Sequence, residues 1–361
     1  MRESSIVVRP EAPGSLTYTA TSRLQAAGLR SAIDLFVRLA QAVPLPDAPH
    51  PVVVADYGAS TGHNSLLPVG AAIDVLSGRI RKDQAILVTH TDVAENDFTV
   101  LFQTLANDPD SYLRRHPAAF PAAIGRSFYS QILPSDSVTL GWSSWGIHWL
   151  SRPPGPVGDD VLPAFSTEET VRAACARQGA ADWHEFIAFR GRELVPNGRL
   201  MVLTLGRDES GEFGMQPLID HLGAALHELA DAGVITTQER QAMTIPVVGR
   251  NEKDIIAPFF PKGRFEGLTI EHLEVSDAED RFWQQFQVDG DASAFASKWA
   301  GFLRASVFGC LVDGLSGGSG DPRVGEFCDR LERQTAARLA VAPQKMRITQ
   351  AKVVLVKNRP R

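Results

Sequence analysis

Residues 52–62 constrain the fold more than any other part of this chain. Val52-Val53-Val54-Ala55 is a short, wholly apolar run, as in a strand covered on both faces, and it leads straight into Asp56-Tyr57-Gly58-Ala59-Ser60-Thr61-Gly62. Such a strand belongs in a parallel sheet between helices, and a glycine turn at its carboxyl end is where open α/β sheets take their ligands. The pattern then repeats. Ala85-Ile86-Leu87-Val88 predicts a second strand ending at Thr91-Asp92, and a helix is expected over residues 96–105. Residues 138–142 and 200–205 predict two further strands, each preceded by turn residues, Pro134-Ser135-Asp136 and Pro196-Asn197-Gly198. Strands alternating with helices make this an α/β chain with a Rossmann-like, mostly parallel sheet.

The flanks are helical. Leu24, Leu29, Ile33, Phe36, Leu39 and Ala40 are spaced for an amphipathic helix over residues 22–42, stopped by Pro44-Leu45-Pro46. Amphipathic patterns also cover residues 217–233, 292–311 and 324–339, with a Gly/Ser loop at 314–322, before Val353-Val354-Leu355-Val356 closes as a strand. The expected organisation is an α/β core over 1–210, a mainly helical cap over 211–345, and a terminal strand in 346–361 returning to the sheet. A chain of 361 residues is long enough for a core and a second lobe.

Composition excludes some roles. A net charge of −6 offers no basic field for phosphates, which argues against a nucleic-acid partner. Cys175, Cys310 and Cys328 are widely spaced without a C-x-x-C pair, so reduced thiols and a cytoplasmic location are expected. The first residues lack the apolar centre of a secretory signal, and no apolar stretch approaches the roughly 18 residues of a membrane span.

Two acids mark the expected site. Asp56 and the glycines of the turn allow close backbone approach and an acceptor for an ammonium group, although the same turn would also do no more than connect a strand to a helix. Asp92, at the end of the second strand, either accepts both ribose hydroxyls of a nucleoside or caps the following helix. The turn also reads as G-x-S-x-G, the nucleophile elbow of α/β-hydrolases, with Ser60 as nucleophile and His221, His227 or His272 in the right chain order. Against this, no strands have room to precede the elbow. A nicotinamide-binding G-x-G-x-x-G fails because position 60 is serine.

Six segments in order resemble the SABATH methyltransferases. Residues 18–25 (YTATSRLQ) are similar to that family's SYA-x-NS-x-x-Q, residues 56–64 (DYGASTGHN) to DLGCSSGPN, and residues 91–98 (TDVAENDF) to NDLPGNDF. Ser127-Phe128-Tyr129 with Leu133-Pro134 matches SFY-x-x-LFP, residues 143–151 (SSWGIHWLS) match SSYSLHWLS, and residues 193–199 (ELVPNGR) match ELVPGGR. The likeness covers residues 14–250 and fades beyond.

The resemblance implies an S-adenosylmethionine-dependent methyltransferase core with a helical cap, releasing S-adenosylhomocysteine and esterifying a small carboxylic acid. Carried over position by position, it implies that Tyr18, Gly58, Ala59, Asn64, Asp92, Val93, Ser127 and Phe128 line the cosubstrate site, with Asp92 on the ribose and Asp56 facing the methionine moiety. Gln25 and Trp149 would hold the acceptor carboxylate, while Trp145, His148 and Ile219 would shape the pocket. Without the resemblance, Trp149 reads as a core residue, Gln25 as a solvated side chain and His148 as a satisfied interior histidine. Trp145 replaces the family's tyrosine. Gln241-Ala242-Met243-Thr244 replaces a metal-associated D-x-F-N, so no metal is expected. The resemblance also suggests a homodimer. A carboxylic acid is already ionised at neutral pH, so the expected chemistry is an in-line displacement needing no general base. A ring-nitrogen or phenol acceptor stays open as the alternative within this class.

Overall fold

The computed structural model describes residues 29–153, 155, 157–212 and 214–359. Tyr18 and Gln25, and the first turns of the helix expected from residue 22, lie outside the described residues. Seven strands, β1 (Val52–Tyr57), β2 (Ile86–Asp92), β3 (Ala119–Gly125), β4 (Val138–Ser144), β5 (Leu194–Leu205), β6 (Leu268–Ala278) and β7 (Ile348–Lys357), form one sheet. Their order is β3-β2-β1-β4-β5-β7-β6. Pairing is parallel from β3 to β5, and β7 runs antiparallel to both β5 and β6. The α/β class expected from the sequence is the one observed.

Helices α1 (Arg30–Ala42), α2 (His63–Ser77) and α3 (Phe98–Asn107) cover one face, where Phe36 packs on Trp142 with ring centroids 4.9 Å apart. The other face is covered by α4 (Glu169–Glu193), through Trp183, Phe186 and Ile187. The remaining helices are α5 (Gln216–Asp231), α6 (Thr237–Ala242), α7 (Glu252–Ile256), α8 (Arg281–Asp289), α9 (Ala292–Ser306), α10 (Phe308–Val312) and α11 (Val324–Val341). Of these, α5, α8, α9, α10 and α11 enclose a separate core that includes Leu222, Leu226, Trp299, Leu303, Phe327 and Leu331.

Several expectations shift. The span 211–345, read from its patterns as mainly helical, also contributes β6, which joins the sheet edge. The helix expected over 292–311 breaks at Val307 into α9 and α10. Pro196-Asn197-Gly198 does not precede its strand but bulges within it. Val138 pairs with Leu194 and Leu140 with Arg199, and Asn197 takes φ +64° to absorb the extra residues.

Candidate active site

The carboxyl ends of β1, β2, β3 and β4 meet where the strand order reverses, and the loops that follow them build one site. After β1 the chain turns sharply. Gly58 and Gly62 have φ +87° and +80°, a region glycine enters freely. The Gly58 and Ala59 N–H groups both donate to Thr91 O at 2.9 Å, which ties this turn to the end of β2.

Asp92 closes the turn from the other side. Its Oδ2 accepts from Ser60 N at 2.7 Å and its Oδ1 from Val93 N at 2.8 Å, while the Asn96 amide donates to Ser60 O. The capping role open to Asp92 belongs instead to Asp97, which accepts from Val100 N at the start of α3. Burial pushes the Asp92 carboxyl up to about 6, against the pull of its two N–H donors, and the nearby Asp56 carboxylate raises it further. A carboxylate short of donors, beside a second carboxylate and a glycine-lined turn, fits a cationic nucleoside whose hydroxyls can supply the missing hydrogen bonds.

Asp56 is almost wholly buried and accepts from His90 Nδ1 at 2.8 Å. Asn64 lies half-buried in the first turn of α2, and Val93 follows Asp92 directly. The loop after β3 supplies Ser127 and Phe128. A Cβ placed on Gly58 or Gly146 would meet the Phe128 ring at 3.5 or 3.4 Å, so this ring lies against two bare backbones. The loop is fixed by Arg190, whose guanidinium donates to Phe128 O and Ser130 O, both at 2.8 Å.

After β4, Trp145 sits at φ +57°, an unusual conformation for a bulky residue, held by its N–H to Leu203 O. His148 lies between Trp145 and Trp149, with ring centroids 6.3 and 5.5 Å away. This aromatic row spans two cores, because Trp145 packs on the α1 side of the sheet and Trp149 on the helical lobe, where Ile219 is also buried. The segment 246–248 grips the row. Val248 N donates to His148 O, Leu150 N donates to Pro246 O, and the buried Arg250 donates to Ile147 O. Trp145 Nε1 and His148 Nδ1 are both buried without a hydrogen-bond partner among the described residues. Burial, helped by Arg250, lowers His148 to about 3, so the ring is neutral at physiological pH. Among the described residues no group of His, Cys, Asp and Glu is arranged to hold a metal ion.

The structure thus brings Asp56, Gly58, Ala59, Asn64, Asp92, Val93, Ser127, Phe128, Trp145, His148 and Trp149 to one edge of the sheet. Sequence reasoning missed His90, Tyr112, Arg190 and Arg250, and named Glu193 only as the first residue of the 193–199 segment, without a role. For His90, the polar Thr-His-Thr interrupting the apolar run of β2 was an available signal. The hydrolase alternative has no support from His272, which sits on β6, four strands from β1 and so about 19 Å away.

Sheet order, glycine turn and the acid at the end of β2 are those of a nucleoside-binding α/β fold, and the family comparison assigns the class, an S-adenosylmethionine-dependent methyltransferase. A family model described as "SAM dependent carboxyl methyltransferase" matches residues 8–358, and the chain belongs to that family, the SABATH enzymes. Indole-3-acetate O-methyltransferase 1 of Oryza sativa subsp. japonica is 29% identical over 324 residues, which cover 81% of this chain and 78% of that protein. Gibberellic acid methyltransferase 2 of Arabidopsis thaliana is 25% identical over 302 residues, 75% of this chain and 76% of that one. The solved structure of a loganic acid methyltransferase with S-adenosylhomocysteine shares the fold, with a TM-score of 0.76 at 21% identity over 96% of this chain and 98% of that one. The chain is accordingly a carboxyl methyltransferase, and no helix among the described residues is long and apolar enough to cross a membrane.

Proposed function

We propose that this enzyme forms methyl esters of a small, partly apolar carboxylic acid, aromatic or isoprenoid in character, in a pocket between the sheet edge and a cap formed within residues 211–345. The observation that carries the reading is Trp149 beside the neutral His148 in the loop after β4, at the position where the carboxyl-methylating family places its acid-holding tryptophan. Buried polar nitrogens without partners, here Trp145 Nε1 and His148 Nδ1, are costly, and a polar acceptor molecule in the pocket would satisfy them. The named relatives act on indole-3-acetate, gibberellic acid and loganic acid, all of them acids, which supports the same class.

In this reading Asp92 holds the ribose, Asp56 faces the ammonium, and Phe128 and Ser127 flank the adenine. Bound S-adenosylmethionine supplies an electrophilic methyl group on a sulfonium. Gln25 and Trp149 orient the acceptor carboxylate through neutral N–H groups, which leave its nucleophilicity intact as an arginine would not. His148 is neutral and takes no proton. The walls formed by Trp145, Trp149 and Ile219 keep water out, so opposite charges meet in a dry pocket. We further read the enzyme as cytoplasmic and homodimeric, from its cysteine spacing and its family respectively.

The test is a methyl-transfer screen over benzoic, salicylic, cinnamic, indole-acetic and terpenoid acids. Ester formation on at least one acid is expected, with Gln25→Ala and Trp149→Ala raising its KM. At saturation, kcat should be flat from pH 7 to 9, since the acceptor is already ionised. A kcat that climbs toward pH 10, with turnover on phenols or ring nitrogens instead of acids, would replace the carboxylate by those acceptors.

The site also predicts a linked proton. Ligand hydroxyls on Asp92 favour its ionised form, so S-adenosylhomocysteine affinity should rise as pH increases through about 6, with a proton released on binding. In the unliganded protein the sign is opposite: the raised carboxyl pKa means stability falls as pH rises from the ordinary value of 3.8 to about 6. Calorimetry at pH 5.5 in buffers of different ionisation enthalpy checks the release, and an equal proton release by Asp92→Asn would refute it.

A further inference from the structure

Beneath the glycine turn, three polar side chains are buried in an otherwise apolar layer. Asp56 and His90 face each other across the β1–β2 register, and His90 Nε2 lies 2.9 Å from the Tyr112 hydroxyl. His90 and Tyr112 are both fully buried. Their neighbours on this face are Val54, Val88, Leu66 and Leu101, so nothing in the packing calls for polar groups here. Replacing a buried polar network by apolar residues of similar volume is often neutral for stability, so its contribution here is geometric: it fixes the orientation of the side chains it links.

The donor order is set by chemistry. A carboxylate can only accept, so His90 Nδ1 carries a proton toward Asp56, and with one proton on the ring the Tyr112 hydroxyl donates to Nε2. Burial pushes the Tyr112 phenol up, so it stays a donor at any working pH. The hydroxyl of Thr91 donates to Asp56 O at 3.1 Å and fixes the backbone at the same point. Asp56 therefore has its carboxylate held from behind, at the strand end that opens on the site.

We propose that His90 and Tyr112 are positioning residues that hold the Asp56 carboxylate in place for the ammonium end of the cosubstrate. This rests on the reading of Asp56 given above, and it adds two residues that act through Asp56 and touch no ligand. The consequence is selective. Loosening the chain weakens ligands that carry the amino-acid tail and spares those that carry the nucleoside alone.

The experiment is calorimetric titration of the full-length protein with S-adenosylhomocysteine and with 5′-methylthioadenosine, which lacks the amino-acid tail. Asp56→Asn serves as the reference. Tyr112→Phe and His90→Leu should weaken S-adenosylhomocysteine by about three- to tenfold, the range set by one lost hydrogen bond, and leave 5′-methylthioadenosine within about twofold. His90→Asn restores a donor near the position of Nδ1 and should recover most of the affinity. Thermal unfolding of each variant identifies any that fails to fold, and Tyr112→Phe removes one oxygen alone. Equal losses for both ligands, or no loss for either, would overturn the proposal. If Asp56→Asn itself shows no selectivity, the role of Asp56 fails first, and if wild type binds neither ligand the cosubstrate reading fails with it.

Discussion

Asp92→Ala should weaken S-adenosylhomocysteine binding by about two to three orders of magnitude and leave the protein folded. The carboxylate keeps one acceptor position on each oxygen beyond its bonds to Ser60 N and Val93 N. Two ribose hydroxyls on a charged acceptor are worth roughly 3–4 kcal/mol together, which converts to that loss. The fold tolerates the change because Asp97, not Asp92, caps α3. Isothermal titration with circular dichroism on the same samples checks both halves of the prediction. A loss below about tenfold would mean that the ribose is held elsewhere.

Glu193→Ala should cost about 3–5 kcal/mol of stability, the range for breaking one partner out of a buried ion pair. Glu193 and Arg190 are each 0% exposed, and their side chains meet at 2.9 Å. Glu193 Oε1 also accepts from Ile132 N and Leu133 N, and Oε2 accepts from the Tyr57 hydroxyl. Truncation strands four donors at once, including a guanidinium stacked 4.4 Å over the Tyr57 ring. Because Arg190 also holds Phe128 O, the wall beside the glycine turn loosens too, and weaker cosubstrate binding should accompany the loss. Urea denaturation measures the stability; a change under about 1 kcal/mol would show that the network is dispensable. Removing both partners, as Arg190→Met with Glu193→Leu, should cost less than the sum of the two single changes.

The contrast between these two residues shows how much is legible in sequence. Asp92 stands at the end of an apolar strand run inside a motif, so its place at the sheet edge follows from the local pattern alone. Glu193 opens a motif as well, but its burial and partners are hidden: it ends a 25-residue helix that has polar residues on every side, and its buried members include Asp182 and Arg190, so no apolar stripe announces it. The missed strands have their own reasons. β3 is an edge strand with Pro121 inside it and Phe120 exposed, and β6 is the other edge, with mostly half-buried positions that dilute the alternation. The central strands are legible because both their faces are covered, which makes them read as unbroken apolar runs. Pairwise partnerships such as His90 with Tyr112, or the left-handed turn at Trp145, depend on register and loop closure that no local pattern encodes.

The reversed strand β7 carries a consequence for biosynthesis. It fills the slot between β5 and β6 and pairs with both along most of its length. Until Ile348–Lys357 has left the ribosome, β5 presents a bare apolar edge and β6 has no partner, although the cosubstrate loops have long been synthesised. The nascent chain therefore carries an open sheet edge that can recruit a stray strand from another chain. A protein cut before Ile348 should accumulate as aggregate, whereas one extended beyond Lys357 should fold, a difference visible in the soluble fraction of expressed material.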